Sequence, residues 1–270
     1  MKSAVTVSLV PQAKGGPFVF WDGLADAFTH AKILGFDAVE IFPPAAEALP
    51  VGEIQALMRA QQLAVAAVGT GGGWVIHKWH LCHPDPAIRA KARDFICAII
   101  DAAAALGAPA ILGSMQGRVE ADVSRAQALE WLADALALFN ARAASHGQCF
   151  LYEPLNRYET NLFNRAADAA RFLDEHQLGS VKLLTDLFHM NLEESSIPDA
   201  LRTCASRVGH VHFADSNRHA VGFGHTSMEP ILEALRSIGY TGYLSAEVFA
   251  LPDTTAAAVQ TMRAFAELNR

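Results

Sequence analysis

Eight short apolar runs recur along this chain, each followed by a stretch with helical spacing. The runs lie at 3–9 (SAVTVSL), 38–42 (AVEIF), 64–69 (AVAAVG), 109–113 (PAILG), 149–153 (CFLYE), 181–186 (VKLLTD), 209–214 (GHVHFA) and 243–248 (YLSAEV). Each has the length and bounding turns of a strand. In 86–106, Ile88, Phe95, Ile96, Ile99, Ala103 and Leu106 keep helical spacing, as Leu129, Leu132, Leu136 and Phe139 do in 124–145. Gly35, Gly107, Gly179 and Gly239 fall where intervening helices should stop. Strand then helix, eight times over, is the pattern of an α/β protein with a parallel sheet. At 270 residues the length suits one (β/α)8 TIM barrel. No Pro/Ser linker, charge block or low-complexity stretch interrupts it, so residues 1–270 read as a single TIM barrel domain.

Four of these runs end on a residue able to hold a metal. Glu153, Asp186, His212 and Glu247 lie near the C-terminal ends of the fifth to eighth runs. The gaps are 33 residues from 153 to 186, 26 from 186 to 212 and 35 from 212 to 247, each about one βα unit. A barrel gathers such strand ends around one mouth, where its active sites sit. Charges embedded in apolar strands are costly unless paired or metal-bound. Three carboxylates and one imidazole therefore predict a site for one divalent ion. Oxygen-rich and without sulfur, the set suits Mn²⁺, Mg²⁺ or Co²⁺ better than Zn²⁺.

Two of the four are glutamates three strand steps apart, nearly across the mouth of a barrel of eight. A Lewis-acidic cation can acidify the hydrogen on carbon beside the carbonyl of a hydroxyketone, giving an enediolate. A carboxylate on each side of that plane would take a proton from one face and return it to the other, which is epimerisation. One base serving both carbons from a single face would instead interconvert aldose and ketose. Glu159, His189 and Arg218 lie three to six residues beyond Glu153, Asp186 and His212, and could hold a polyol and a carbonyl oxygen. Singly, each also resembles a loop salt bridge or a helix cap. Glu40 reads as a structural partner for an inward-facing Arg, and Arg118 as a substrate contact or a surface residue. The loop 74–83, with Trp74, His77, Trp79, His80 and His83, either walls a sugar pocket or packs on itself as a lid.

Composition excludes several classes. A formal charge of −7 and an isoelectric point near 5.9 argue against a nucleic-acid partner, which wants a basic face. They also weigh against an endonuclease IV-like phosphodiesterase, which needs further His ligands. The four cysteines (Cys82, Cys97, Cys149, Cys204) show no CxxC pairing and read as reduced thiols of a cytoplasmic protein. MKSAVTVSLVP is too short in its apolar run for a secretory leader, and Asp101 interrupts the most apolar stretch, so no membrane partner is expected. GTGGG (69–73) lacks the features of a phosphate-binding loop, and no GxSxG occurs.

The segments EPLNRYETN (153–161), TDLFHMNLEE (185–194), GHVHFADSNR (209–218), GFGH (222–225) and GYLSAEV (242–248) resemble the D-tagatose/D-allulose 3-epimerase family of the xylose-isomerase-like TIM barrels. GFDAVEI (35–41) and CHPDPAIRAKA (82–92) resemble it more loosely. The resemblance implies that Glu153, Asp186, His212 and Glu247 bind the metal, with Glu153 and Glu247 as the acid/base pair. It implies that Glu159, His189 and Arg218 bind the O1–C2 end of a sugar substrate. It further implies Mn²⁺, Co²⁺ or Mg²⁺ and a homodimer or homotetramer. Residues 154–159 (PLNRYE) are closer to a branch acting on keto-sugar acids or other ketoses. Hydroxypyruvate isomerase, an aldose–ketose isomerase, is a sister family with the same four ligands, but DSNR (215–218) fits the epimerases better.

Overall fold

The structure, a computed structural model, describes residues 1–120 and 122–269. Its strands are β1 (Lys2–Ser8), β2 (Ala38–Phe42), β3 (Ala64–Gly69), β4 (Ala110–Leu112), β5 (Phe150–Tyr152), β6 (Val181–Asp186), β7 (Val208–His212) and β8 (Tyr243–Ala246). They pair in parallel, each with the next, and β8 closes on β1 to complete the expected barrel. The helices Pro86–Ala105 and Arg125–Ser145 occupy the two predicted segments. Their starts are set by local chemistry: Asp85 accepts from the Ala87 N–H and Ser124 from that of Gln127.

Alternation along the strands divides the core in two. Val5, Val7, Val39, Ile41, Tyr152, Val211 and Leu244 point outward and join the main cluster under the helices. The opposite face fills the barrel, where Ala67, Ile111, Leu151 and Leu184 pack together, with a small group of Ala4, Ala38 and Ala66 apart from them. Two residues beyond Leu151 and Leu184 on that inward face come Glu153 and Asp186. The inner side is thus closed by aliphatic side chains and turns polar at the C-terminal rim.

β5 and β8 end one residue before the glutamates predicted to lie within them, because there the backbone leaves the sheet. The Glu153 N–H still reaches the Leu112 carbonyl at 3.0 Å, while that of Glu247 turns back to Ser245 at 3.1 Å. Gly35, Gly107 and Gly239 take positive φ at helix ends, as expected. Gly179 does not: the helix Ala166–Glu175 stops earlier, and Gln177 takes the left-handed position at φ 56. The cost to a residue bearing a Cβ is about 1–2 kcal/mol. It is offset as the Leu178 N–H closes on the Leu173 carbonyl at 3.0 Å and the Leu178 side chain is buried.

Candidate active site

The C-terminal rim brings Glu153, Asp186, His212 and Glu247 together, with one donor atom from each within 4.8 Å of the others. Asp186 and His212 end adjacent strands as register partners. The Nδ1 of His212 is the meeting point: Asp186 Oδ2 lies 3.1 Å from it, Glu247 Oε2 3.3 Å and Glu153 Oε1 3.7 Å. Glu153 Oε1 is buried and has no hydrogen-bond partner. Gly113 makes room for this carboxylate, since a Cβ there would come within 2.6 Å of Glu153 Oε2.

The other face of His212 is also specified. Its Nε2 lies 3.0 Å from Glu40 Oε1, and Glu40 Oε2 lies 2.7 Å from the Nε2 of His210. The partners of Glu40 are therefore two imidazoles from β7, not the arginine expected from sequence. Burial alone would raise Glu40, but His212 and His210 overcome it and hold the carboxylate ionised, well below its usual range. An ionised Glu40 accepts a hydrogen bond from the His212 Nε2–H and leaves the Nδ1 side facing the three carboxylates. Lone pairs converging in a buried space repel unless a cation lies among them. Without a metal the nearest substitute is a proton. Burial would lower His212, yet Glu247, Glu40 and Asp186 push it well above an ordinary histidine. Glu153 is raised, by burial first and further by Glu247 and Asp186. Donor chemistry, the orphaned oxygen and the electrostatics thus fit a divalent ion, backed by a carboxylate–histidine pair of the sort that orients metal ligands.

Asp186 works twice. Its Oδ1 caps the helix Leu187–Glu193, accepting from the N–H of Phe188 at 2.8 Å and of His189 at 3.3 Å, while Oδ2 faces the site. That cap places His189 one turn on, beside the cavity. Asn156 Oδ1 accepts from the Tyr158 N–H, so its Nδ2 is the atom 2.7 Å from His189 Nδ1. The Asn156 backbone N–H donates to the same nitrogen at 3.3 Å. The other ring nitrogen, Nε2, faces the Arg218 guanidinium at 3.2 Å and Glu153 Oε1 at 3.7 Å. Burial lowers His189 to about 4, so the ring is neutral near pH 7.

Arg218 is buried and pairs with Glu247, and lies 3.4 Å from Asp186. Its backbone takes φ 60, rare for a side chain this large, in a turn closed by its N–H on the Asp215 carbonyl at 2.9 Å. Burial alone would raise Glu247, but His212 and Arg218 overcome it and hold the group low. Glu159 stands at the rim, its side chain 45% exposed, with Oε1 3.9 Å from His189 Nδ1.

Glu153, Glu159, His189, His212, Arg218 and Glu247 line a cavity of about 320 Å³ walled on its apolar side by Phe18, Phe42, Trp74 and Val75. Of the loop 74–83, Trp74 and Val75 face this cavity. His77 instead stacks on Trp79 at 4.2 Å over a separate hollow, and His80 packs edge-on to Trp74. Arg118 is exposed and lies outside the cavity. Sequence reasoning missed His210, Asn156 and Gln116. Gln116 donates to the Gly113 and Glu153 carbonyls and accepts from the Tyr152 hydroxyl, fixing the end of β5. Asn156 lies three residues after Glu153 and His210 two before His212, a faint signal, whereas Gln116, 37 residues before Glu153, had none.

Residues 28–267 match the model of the xylose isomerase-like TIM barrel family. A D-psicose 3-epimerase of Ruminiclostridium cellulolyticum is 32% identical over 226 residues, covering 80% of this chain and 75% of that protein. A 3-dehydro-D-guloside 4-epimerase of Escherichia coli is 37% identical over 113 residues, 42% of this chain and 43% of that protein. The crystal structure of the 3-keto-D-glucoside 4-epimerase of E. coli superposes with a TM-score of 0.82 at 25% identity, covering 100% of this chain and 99% of that one. The chain belongs to the xylose isomerase-like TIM barrel family, in which these relatives are sugar epimerases, isomerases that invert one carbon.

Proposed function

We propose that the chain is a divalent-metal-dependent epimerase that inverts the carbon beside the carbonyl of a keto sugar through an enediolate. In a 2-ketose or keto-sugar acid that carbon is C3. The observation that carries this reading is the approach of two glutamates to one point from strands three steps apart. Glu153 Oε1 and Glu247 Oε2 lie 3.7 and 3.3 Å from His212 Nδ1. Glu153, Asp186, His212 and Glu247 would hold the ion, which when bound supplies Lewis acidity to polarise the carbonyl. The oxygen-rich donors favour Mn²⁺, with Co²⁺ or Mg²⁺ as alternatives.

The remaining steps belong to side chains. Glu247 is kept ionised by His212 and Arg218, the state a base needs to take a proton from carbon. Glu153, arriving from the other side, would return one. His189 and the guanidinium of Arg218 would hold the O1 and C2 oxygens, with Glu159 at the edge. The apolar wall keeps water from the planar intermediate. Arg218 is the one Lys or Arg lining the cavity among the described residues, and acidic partners already engage it. That favours an uncharged sugar over a phosphorylated one.

Turnover of ketoses and keto sugars in D₂O with Mn²⁺ tests the reading. Label at the carbon beside the carbonyl, with the epimer as product, is expected, and EDTA should abolish it until Mn²⁺ is restored. Label at C1 with an aldehyde product would replace this reading with aldose–ketose isomerisation of the hydroxypyruvate isomerase type.

A further inference from the structure

A second cavity, of about 300 Å³, abuts the first and shares four of its lining residues, Trp74, Ser114, Leu155 and Glu159. Arg118, Glu120, Tyr158 and His80 also line it. The proposed reaction uses none of these four. Tyr158 is 75% exposed although it is large and partly apolar. Arg118 is exposed and makes no ion pair among the described residues. His80 is buried with its Nδ1 unpartnered, packed against Gly117, whose φ of +78 and missing Cβ admit the ring. Aromatic faces beside a guanidinium and carboxylates match a sugar ring, which offers apolar C–H faces and a rim of hydroxyls.

We propose that the substrate is a keto glycoside and that this second cavity receives its aglycone ring. The inference rests on the epimerase reading and follows from which end of the sugar meets Glu159. That residue, with His189 and Arg218, is assigned to the side of the carbonyl away from the inverted carbon. In a free 2-ketose the chain ends there at C1, a hydroxymethyl group, and the second cavity has nothing to hold. In a hexoside oxidised at C3, the inverted carbon is C4. The carbon on the other side of the ketone is C2, and C2 leads to the anomeric carbon. With the two ketones and the two inverted carbons equivalent, the anomeric carbon and its substituent would extend beyond the Glu159 end of the first cavity, and Glu159 also lines the second.

Calorimetric binding to the Mn²⁺-loaded protein tests this with three probes: D-fructose, a methyl 3-keto-glucoside, and a 3-keto disaccharide bearing a second hexose at the anomeric position. The disaccharide should bind at least about tenfold more tightly than the methyl glycoside. Tyr158→Ala and Arg118→Ala should each remove most of that ratio and leave methyl glycoside affinity within about twofold. Equal affinity for the two glycosides, or a ratio that survives both substitutions, would overturn the proposal. Tighter binding of D-fructose than of the disaccharide would do the same. Since the readout is binding, a protein that binds the disaccharide as expected but exchanges no deuterium would count against epimerisation and leave the second cavity assigned.

Discussion

At the residue scale, the site depends on which proton each group holds. Glu153→Gln and Glu247→Gln remove a carboxylate without changing its shape. Each should leave the fold intact and lower turnover by at least about 10²-fold, the range for loss of a general acid or base. Metal affinity should fall too, because each is a proposed ligand. Near-wild-type epimerisation by either variant would rule out a two-base scheme. Glu40 makes a different case, because it acts through His212. Its carboxylate accepts from two imidazoles, His210 at 2.7 Å and His212 at 3.0 Å. A glutamine has one acceptor and one donor at its tip, so it can serve only one of them. Glu40→Gln should therefore weaken Mn²⁺ binding by about 10–100-fold, the usual cost of losing a partner behind a metal-bound histidine. Competition with a chromophoric chelator measures this directly. Unchanged affinity would mean that Glu40 serves packing alone.

At the element scale, the loop after β7 is organised around one carboxylate. Asp215 is buried and accepts from the backbone N–H of Ser216 at 2.7 Å, Gly222 at 2.8 Å, Thr226 at 2.9 Å and Gly224 at 3.0 Å. Burial would raise it, and these four donors overcome that and hold it low. The same loop carries Arg218 at φ 60, a backbone shape the surroundings must enforce. Asp215→Ala would leave four N–H groups without their acceptor, so the loop should loosen while the barrel persists. Arg218 then loses its aim, and KM should rise as kcat falls, because a misplaced sugar loses alignment with both bases. Steady-state kinetics beside a circular dichroism melt would separate this from global unfolding. Much of this scale was legible beforehand. Strand period and one-unit spacing located all eight strands, and Glu153, Asp186, His212 and Glu247 stood out as charges in apolar runs. The Glu40–His210 contact was not legible. It joins residues 170 apart in sequence, and only closure of the barrel sets β2 opposite β7. Asn156 was hidden for another reason: its amide meets the His189 ring across 33 residues of sequence, and nothing in a loop sequence marks which side chain an amide will meet.

For the whole molecule, metal binding and folding would be linked, since the four proposed donors lie at or just beyond the ends of strands whose order only the closed barrel provides. An ion present at about 100 times its Kd should stabilise the fold by about 2.7 kcal/mol, raising Tm by roughly 5–10 °C for a chain of this size. The pH dependence follows from the two raised groups. His212 lies well above its ordinary 6.5 in the metal-free protein, and Glu153 well above 4.5. A raised group contributes stability that is complete below its ordinary pKa and is lost as pH rises through the folded one. Glu40, Asp186 and Glu247 are lowered, so their contributions are already complete above their ordinary values and stay constant near neutrality. The metal-free protein should therefore lose stability as pH rises above about 4.5, through Glu153, and further above about 6.5, through His212. In the loaded protein the cation replaces those protons, so this loss should vanish and the gap between loaded and metal-free Tm should widen with pH. Mn²⁺ binding should release protons by the same logic, which calorimetry in buffers of differing ionisation enthalpy would detect. A gap that stays constant or narrows as pH rises, with no proton release, would mean that the ion does not displace a proton from His212 and that the carboxylates are balanced in some other way.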